Sequence, residues 1–495
     1  MIWTGLLDAA HHMLSVDVAT GLFGGAILGY LIGSIPGLSS SIGIALLIPF
    51  TYSLSPVTSI VLLVTLYMAT EYAGAIPAIL MNTPGVPAAA VTAIEGYPMR
   101  LRGEAGTALT MSILSAGFAS VCATLLLIAC STWIASVALA FGPVEYFAIA
   151  LMGLSMVSSL SGDSMLKGFI ALFLGLGVAV IGTDPMDGTP RYVLTDSLLS
   201  GIPFIPALIG LFALSGVFSL VENSAESPAA LKAVPRISGQ VGLMRPHLGT
   251  LSRSTLLGFL VSVIPGHGAT ISAFISYAFQ KRMSRRPEDF GHGSPEGLIA
   301  SEAAANASVP GALAPMLSLG IPGSASTAVL IGALTLHGVQ PGPLLFTRNP
   351  EIPYSIFVAL IVTMPFMVCL GLWGIRLWVK VTAVPRSVIA GLVGAMCLLG
   401  SYASMNDLFA MWTTIAFGIL GYILHKAKIH PAPIVLALIL GNMTEANFRR
   451  ALMASGGNYA TFVTHPVGVV CALLALLVFV MPFLRRKPRA DAPAH

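Results

Sequence analysis

The sequence predicts an all-α membrane protein that crosses the bilayer many times. Of its 495 residues, 56% are hydrophobic and 9% are Asp, Glu, Lys or Arg, whereas soluble domains carry about 25% charged residues. A chain with so few charges cannot cover its surface with polar groups in water. The mean hydropathy of +0.88 agrees with lipid as the surrounding solvent.

Apolar stretches long enough to cross a bilayer recur along the whole chain. A transmembrane helix needs about 20 mostly apolar residues, and on that criterion we expect about 12 spans together with re-entrant pieces. The first apolar segment has no basic region before it and no small-residue cleavage site after it. We therefore expect a retained helix there and not a cleavable signal peptide.

Charge and cysteine content argue against a nucleic-acid-binding surface, a cysteine metal site and a disulfide. The net charge of +4 is small and lies in connecting segments, so it does not indicate nucleic-acid binding. The five cysteines all lie inside apolar runs without a C-x-x-C pair. They are predicted to be small buried side chains and indicate neither a metal site nor a disulfide.

A polar segment at 222–250 divides the chain into a first half, 1–221, and a second half, 251–495. These halves are predicted to be two transmembrane repeats joined by a polar linker. The densest positive cluster, at 281–289, follows in the second half. By the positive-inside rule it is expected to face the cytoplasm.

Each half carries two Pro-Gly motifs in apolar surroundings. They lie at 35–37 and 83–85 in the first half, and at 264–266 and 321–323 in the second. A further proline precedes the proline of the second motif by seven positions in both halves. Paired interruptions of this kind are typical of transporters with internal repeats, which we expect here to be inverted.

Proline and glycine together break a helix, because proline removes a backbone donor and glycine adopts conformations that other residues avoid. Irregular backbone at membrane depth survives only where protein or water covers it. The motifs therefore predict broken or re-entrant helices around a shared cavity. Helix N-termini at such breaks suit a carboxylate, and carbonyl groups freed on the other side suit Na⁺.

The residues at and after these breaks are small or hydroxylated, which lets backbones approach and offers oxygen ligands. The candidate contacts for substrate or ion are Gly37, Ser39, Ser40, Asn82, Thr83, Gly85, Gly266, His267, Thr270, Asn306, Ser318, Gly320, Gly323 and Ser324.

Ionisable residues near the breaks have alternative interpretations. Glu71 lies inside an apolar run and is a candidate for ion coupling or gating. His267 could donate to an anion or relay a proton, or it could be a packing histidine. Glu302 lies beside a polar loop, where a solvated or helix-capping role is expected.

Several ordered segments resemble one protein family. They are 35–50, 72–98, 182–185, 203–210, 281–291 and 302–342. Together they resemble the large membrane subunit (TctA type) of the tripartite tricarboxylate transporters. The resemblance covers most of the chain and is carried by many segments in the same order.

The resemblance implies a multi-pass protein of the bacterial inner membrane that takes up small organic carboxylates. Its implied partners are a small membrane subunit (TctB type) and a periplasmic substrate-binding protein (TctC type). Uptake would use a Na⁺ or H⁺ gradient without another cofactor or an ATPase, and the sequence has no G-x-x-x-x-G-K-[ST] loop. The identity of the carboxylate and of the coupling ion stay open.

Three other functions are considered. A stand-alone carboxylate carrier would need no binding protein. A channel would show neither saturable nor gradient-dependent uptake, and it usually needs selectivity rings. An intramembrane enzyme is disfavoured because neither H-E-x-x-H nor G-x-S-x-G occurs, and the segment at 160–163 only superficially resembles an aspartyl protease loop. We therefore predict a transporter and no enzymatic activity.

Overall fold

The computed structural model describes residues 2–138, 141–155, 165–184, 186–222, 241–264, 268–381, 384–466, 468–470, 473 and 476. These residues are almost entirely helical. The strands among them form a short hairpin in which β1 (Gly182–Thr183) pairs antiparallel with β2 (Pro190–Arg191). The prediction of an all-α polytopic protein is confirmed.

The helices of the first part of the chain are α1 (Ile2–Met13), α2 (Val16–Ser34), α3 (Ser40–Thr51), α4 (Pro56–Ala73), α5 (Ala75–Met81), α6 (Ala89–Leu101), α7 (Ala105–Ala138), α8 (Pro143–Ser155), α9 (Met165–Ala179), α10 (Phe204–Leu208) and α11 (Ser215–Glu222). A π-helical turn, Ile209–Leu214, joins the last two. A 3₁₀ turn covers Asp196–Leu198.

The helices of the second part are α12 (Leu248–Val263), α13 (Gly268–Met283), α14 (Pro295–Leu319), α15 (Ala325–Leu336), α16 (Leu345–Arg348), α17 (Glu351–Trp373), α18 (Ile375–Val381), α19 (Arg386–Met405), α20 (Leu408–Lys426), α21 (Ala432–Ala454) and α22 (Thr461–Thr464). Further 3₁₀ turns cover Val241–His247 and Pro287–Asp289.

Seven helices among the described residues are long and apolar enough to cross a membrane. They are Val16–Ser34, Pro56–Met81, Ala105–Ser131, Phe204–Glu222, Glu351–Trp373, Arg386–Met405 and Leu408–Lys426. Four shorter apolar helices, including α3 and α15, have 10–17 residues. These are too short to cross alone, because a span needs about 20 residues. The sequence predicts about 12 spans with re-entrant pieces, and the described residues contain seven helices of spanning length and four shorter apolar ones.

The chain forms two compact units. The first contains Met1–Ala140 and Ile202–Ala427, and the second contains Phe141–Gly201 and Lys428–His495. These units are defined by contacts within the chain, whereas the halves 1–221 and 251–495 are predicted to be two repeats of one structure. The units therefore do not test the repeat, and the repeat and its inversion remain predictions. Of the predicted linker, residues 223–240 lie outside the described residues.

The Pro-Gly motifs interrupt helices, as the sequence predicts. Residues 35–39 separate α2 from α3, residues 82–88 separate α5 from α6, and residues 320–324 separate α14 from α15. The motif at 264–266 lies between α12, which ends at Val263, and α13, which begins at Gly268. Residues 265–267 lie outside the described residues. We call these the first to fourth breaks in chain order.

The second and fourth breaks have the same local backbone geometry. Asn82 and Gly320 end their helices in the left-handed region, with φ of 54° and 74°. Each donates its N–H to the carbonyl four residues earlier. The next residue donates to the carbonyl of Pro77 in one break, at 3.4 Å, and of Pro315 in the other, at 3.3 Å. The proline that precedes each motif therefore fixes the same cap in both halves.

A row of glycines packs α2 closely against α4 in the first unit. Gly21, Gly25, Gly29 and Gly33 recur every fourth residue and face α4. A Cβ on Gly29 would lie 2.6 Å from the Leu66 carbonyl oxygen. Helix pairs in membranes associate through such small residues because the two backbones can then approach. This packing holds α4 beside the first break.

We expect Gly25→Val to destabilise the protein by about 1–3 kcal/mol, the usual cost of overpacking. A Cβ at Gly25 would overlap the side chain of Thr65 and the carbonyl of Leu62. The matched control is the adjacent Gly24→Val, because a Cβ at Gly24 meets nothing within 4 Å. Thermal unfolding in detergent measures both variants. Equal midpoints for the two would show that the glycine row does not set the helix contact.

The polar connection before α14 is anchored by a buried carboxylate on α6. Glu95 is 0% exposed. It accepts hydrogen bonds from the backbone N–H groups of Gly291, Gly293 and Ser294 at 2.6, 2.8 and 2.7 Å, and from the Tyr277 hydroxyl at 2.6 Å. Glu95 thus orders the end of the connection that follows the positive cluster at 281–289.

Glu95→Ala is expected to destabilise the protein by about 3 kcal/mol or more, because it leaves several buried donors without an acceptor. The loop should become sensitive to trypsin after Arg285. Limited proteolysis followed by mass spectrometry detects the cleavage. Glu104→Ala is the control, since Glu104 forms an exposed ion pair with Arg102. Resistance of the Glu95 variant equal to that of the control would contradict this account.

The second unit contains an ion-pair network between the β1–β2 hairpin and α21. Asp184, whose side chain is 1% exposed, pairs with Arg191 and with Arg449, the latter at 2.9 Å. Glu445 pairs with both arginines at 2.9 and 3.2 Å. Backbone donation from Met186, together with the two arginines, lowers the pKa of Asp184 below its ordinary value. The carboxylate therefore stays ionised, and α21 holds the hairpin in place.

Candidate functional site

The N-termini of α3 and α15 meet in the first unit. Ser40, in the first turn of α3, lies 2.7 Å from Ser326, in the first turn of α15. Ser40 also donates to the Glu71 carboxylate at 2.6 Å. The first break of one half therefore contacts the fourth break of the other, with a carboxylate from α4 between them. Helix N-termini attract negative charge through their free N–H groups and dipoles.

The start of α15 is ordered by a capping box. The Ser324 side chain accepts from the Thr327 N–H at 3.2 Å, and Thr327 Oγ1 accepts from the Ser324 N–H at 2.8 Å. The Tyr67 hydroxyl lies 3.1 Å from Ser324 Oγ. Tyr67 precedes Glu71 by one helical turn, so one face of α4 contacts the start of α15 through Tyr67 and the start of α3 through Glu71.

The remaining breaks adjoin these two. A Cβ at Gly268, the first residue of α13, would lie 3.9 Å from Ser324 Cβ. Gly85 packs so closely on the end of α2 that a Cβ there would overlap the Gly33 carbonyl oxygen. Gly323 packs against Ala312 in the same way, with a Cβ position 2.6 Å from its Cα. All four breaks therefore belong to one region of the first unit.

This region contains two glutamates inside the helical core. Glu71 is partly exposed, whereas Glu302 is 2% exposed. Glu302 Oε2 accepts from Ser112 of α7 at 2.8 Å, and Oε1 accepts from Thr92 of α6. The two carboxylates are close enough to interact electrostatically. An ionised acidic residue at the centre of a membrane helix costs about 3 kcal/mol on insertion scales, so both are functional candidates.

The solvated or capping role expected for Glu302 is wrong. Helix α14 begins at Pro295, so Glu302 lies two turns inside it and not at its start. Helices α6, α7, α12 and α13 pack around α14 and cover this face. The sequence places a polar loop nearby but does not show which neighbouring helices surround the residue.

Several predicted residues lie at the meeting point of the breaks. Ser39 caps α3, Ser40 contacts Glu71, and Ser324 caps α15. Gly37 has a φ of 93° and is exposed at the first break. Thr270 is partly exposed in the first turn of α13. Gly85 and Gly323 are buried where backbones touch.

Other predicted residues lie elsewhere or have structural contacts. Ser318 donates to the Ser131 carbonyl of α7 at 3.1 Å, which ties two helices together. Asn82 is an exposed helix cap, and Thr83 donates to the Met81 carbonyl at 3.2 Å. Gly320 is the matching cap of α14. Gly266 and His267 lie outside the described residues.

Asn306 is buried on α14, one turn after Glu302. Its Nδ2 donates to the Glu302 carbonyl oxygen at 3.0 Å. Its Oδ1 is buried without a hydrogen-bond partner among the described residues. The amide oxygen is therefore available to a ligand, and the predicted role of Asn306 as a substrate or ion contact stays a prediction.

Sequence reasoning missed Tyr67 and Ser112, and it considered Thr92 and Ser326 only as hydroxyl residues that follow the breaks, without selecting them as candidate contacts. Tyr67 could have been found from its spacing of one turn from Glu71. Ser326 follows the fourth motif directly, and its equivalence to the selected serines after the first motif was the available signal. Nothing in the local sequence of α7 distinguishes Ser112 from the other hydroxyl residues of that helix.

Broken helices that meet in the interior of a polytopic membrane protein are typical of secondary transporters. The family described as "Tripartite tricarboxylate transporter TctA family" matches residues 20–436. The chain belongs to this family.

Two relatives come from Agrobacterium vitis. One is described as an uncharacterized 52.8 kDa protein in the TAR-I ttuC' 3' region, and it is 36% identical over 473 residues, 94% of this chain and 93% of the relative. The other is described as an uncharacterized protein in the TAR-II ttuC' 3' region. It is 36% identical over 237 residues, 46% of this chain and 96% of the relative. No solved structure matches the chain significantly.

Proposed function

We propose that the chain is the transport subunit of a three-component secondary transporter that takes up small organic carboxylates. A small membrane subunit (TctB type) and a periplasmic substrate-binding protein (TctC type) would complete it in a bacterial inner membrane. Membership of the TctA family supports the three-component assembly. The observation that carries the proposal is the contact of two helix N-termini at Ser40 and Ser326, beside Glu71.

The chemistry of this contact suits an anionic substrate. Two short helices start at one place and both direct their positive dipole ends there. The hydroxyl groups of Ser40, Ser326 and Ser324 add donors that can bind carboxylate oxygens. A substrate with two or three carboxylates could contact both helix starts at once, and this would bridge the two halves of the chain.

Transport against a gradient requires a coupling ion, for which Na⁺ and H⁺ are the candidates. Glu71 is proposed to take part in coupling, because it occupies the position that an anionic substrate would prefer. Like charges repel strongly at short distance in a medium of low dielectric. Neutralisation of Glu71 by a cation would therefore favour binding of the anionic substrate, and this links ion and substrate binding.

The test is reconstitution of the three components in proteoliposomes. Uptake of labelled di- and tricarboxylates is measured under a Na⁺ gradient and, separately, under a pH gradient. We expect saturable accumulation that disappears when either partner or the gradient is omitted. Equal uptake without the binding protein would show a stand-alone carrier. Chemical conversion of the substrate without a gradient would show an enzyme, and either result would overturn the proposal.

A further inference from the structure

Among the described residues, the side-chain hydrogen bonds to the Glu302 carboxylate come from hydroxyl groups. Its Oε2 lies 2.8 Å from Ser112 Oγ of α7, and its Oε1 accepts from Thr92 Oγ1 of α6. Glu302 is 2% exposed, and both hydroxyl residues are 0% exposed. Among the described residues, no Lys, Arg or His pairs with this carboxylate. An ionised carboxylate buried in this way lacks a compensating positive charge.

A second observation, one turn further along the same helix, points to a ligand. Asn306 lies one turn after Glu302 on α14 and is 1% exposed. Its amide nitrogen is satisfied by the Glu302 carbonyl at 3.0 Å, but its Oδ1 has no partner among the described residues. Buried amide oxygens are normally hydrogen-bonded, so an unpartnered one calls for an explanation such as an ion.

The charged residues shown to interact with Glu302 are acidic, and the cations of the surrounding helices lie towards helix ends or bond elsewhere. Helix α4 contributes Glu71 and Tyr72, both of which interact electrostatically with Glu302. Helix α6 contributes Glu95, which is held by backbone N–H groups, and α13 contributes Tyr277, which donates to Glu95. Helix α12 contributes Arg253, which is exposed and donates to the Gly249 carbonyl. Within the described part of the chain, the groups shown to interact with Glu302 are thus acidic or neutral.

We infer that Glu302, Thr92, Ser112 and Asn306 form a buried sodium site. Hard cations prefer oxygen ligands, and a set with one carboxylate and three neutral oxygens matches a single positive charge. In this site the sodium ion would contact both the carboxylate and the unpartnered amide oxygen. A proton bound to the Glu302 carboxylate in place of sodium would provide a single hydrogen-bond donor.

The site connects two of the breaks. Thr92 lies on α6, which begins after the second break, and Glu302 lies on α14, which ends at the fourth break. A bound sodium ion would hold α6 and α14 together and would place a positive charge near Glu71. The inference that this sodium ion is the coupling ion rests on the proposed function. The inference that sodium binds at this site does not.

The test measures sodium binding to the purified full-length chain in detergent, without transport. Binding of ²²Na⁺ and thermal stability in NaCl, compared with choline chloride at equal ionic strength, are the readouts. We expect saturable, sodium-specific stabilisation of the wild-type protein. Glu302→Gln should abolish it, and Thr92→Val and Asn306→Ala should weaken apparent affinity by about tenfold or more, the usual scale for altered ion sites.

Two controls separate a lost ligand from a damaged fold. Thr92→Ser keeps the hydroxyl oxygen and should keep sodium affinity close to that of the wild type. Ser355→Ala removes another buried hydroxyl, which lies on α17 and has no hydrogen-bond partner in the part of the chain that the structure describes. It should leave sodium binding unchanged. Loss of affinity in Thr92→Val with retention in Thr92→Ser supports the site even if Glu302→Gln fails to fold.

Several outcomes would overturn the inference. These are no sodium binding by the wild type, equal affinity in Thr92→Val and Thr92→Ser, or a response to pH in place of sodium. Sodium-driven uptake that is unchanged by Thr92→Val would remove the coupling role of this site while leaving the proposed function intact. Conversely, sodium binding without any carboxylate uptake would contradict the proposed function and not the site.

Discussion

Replacement of Gly323 by valine is expected to reduce carboxylate uptake by on the order of a hundredfold, the effect that a shift of about 1 Å can have at a functional centre. A Cβ at this position would lie 2.6 Å from Ala312 Cα and 2.7 Å from its carbonyl oxygen. These are backbone atoms, so the fourth break itself must move. The start of α15, with Ser324 and Ser326, would then lose its place beside α3.

The same substitution in the other half, Gly85→Val, should have a similar effect. A Cβ there would overlap the Gly33 carbonyl and lie 2.7 Å from Gly74 Cα. The control is Gly391→Val in α19, because its Cβ position meets nothing within 4 Å. Uptake in proteoliposomes and the amount of inserted protein are both measured. Wild-type uptake in either break variant, at equal insertion, would show that the breaks are only kinks.

The positions of the breaks could be predicted from the sequence because their cause is local. Proline and glycine disrupt a helix wherever they stand, whatever its neighbours are. The structure separates α2 from α3 and α14 from α15 at the motifs, as expected. The seven-residue spacing to an earlier proline also has a local meaning, since Pro77 and Pro315 accept the same cap hydrogen bond.

The pairing of the breaks could not be predicted, because it depends on contacts between distant segments. Nothing in the sequence indicates that Ser40 meets Ser326, or that Thr92 and Ser112 surround Glu302. Hydroxyl residues are common in membrane helices, where many simply bond to their own backbone. Thr110 and Ser115 of α7 do so, to the Gly106 and Met111 carbonyls. A local pattern therefore cannot separate ligands from packing residues.

Glu71→Gln is expected to uncouple substrate movement from the ion gradient. The glutamine keeps the size of the side chain and can still accept from Ser40, but it carries no charge. In the wild-type protein, a substrate carboxylate that approaches the two helix starts meets a like charge. At about 4 Å and an effective dielectric constant near 20, that repulsion is about 4 kcal/mol. Even half of this energy changes substrate affinity by more than about tenfold.

With the charge removed, substrate should bind without a neutralising ion. We expect exchange of internal for external carboxylate to persist, while accumulation driven by the gradient falls by about tenfold or more, on the scale of the repulsion that is lost. The KM for exchange should also become insensitive to the coupling ion, which a merely structural role would not produce. Glu104→Gln, at an exposed carboxylate, controls for the loss of one charge. Accumulation at the wild-type level, with an ion-dependent KM, would exclude Glu71 from coupling.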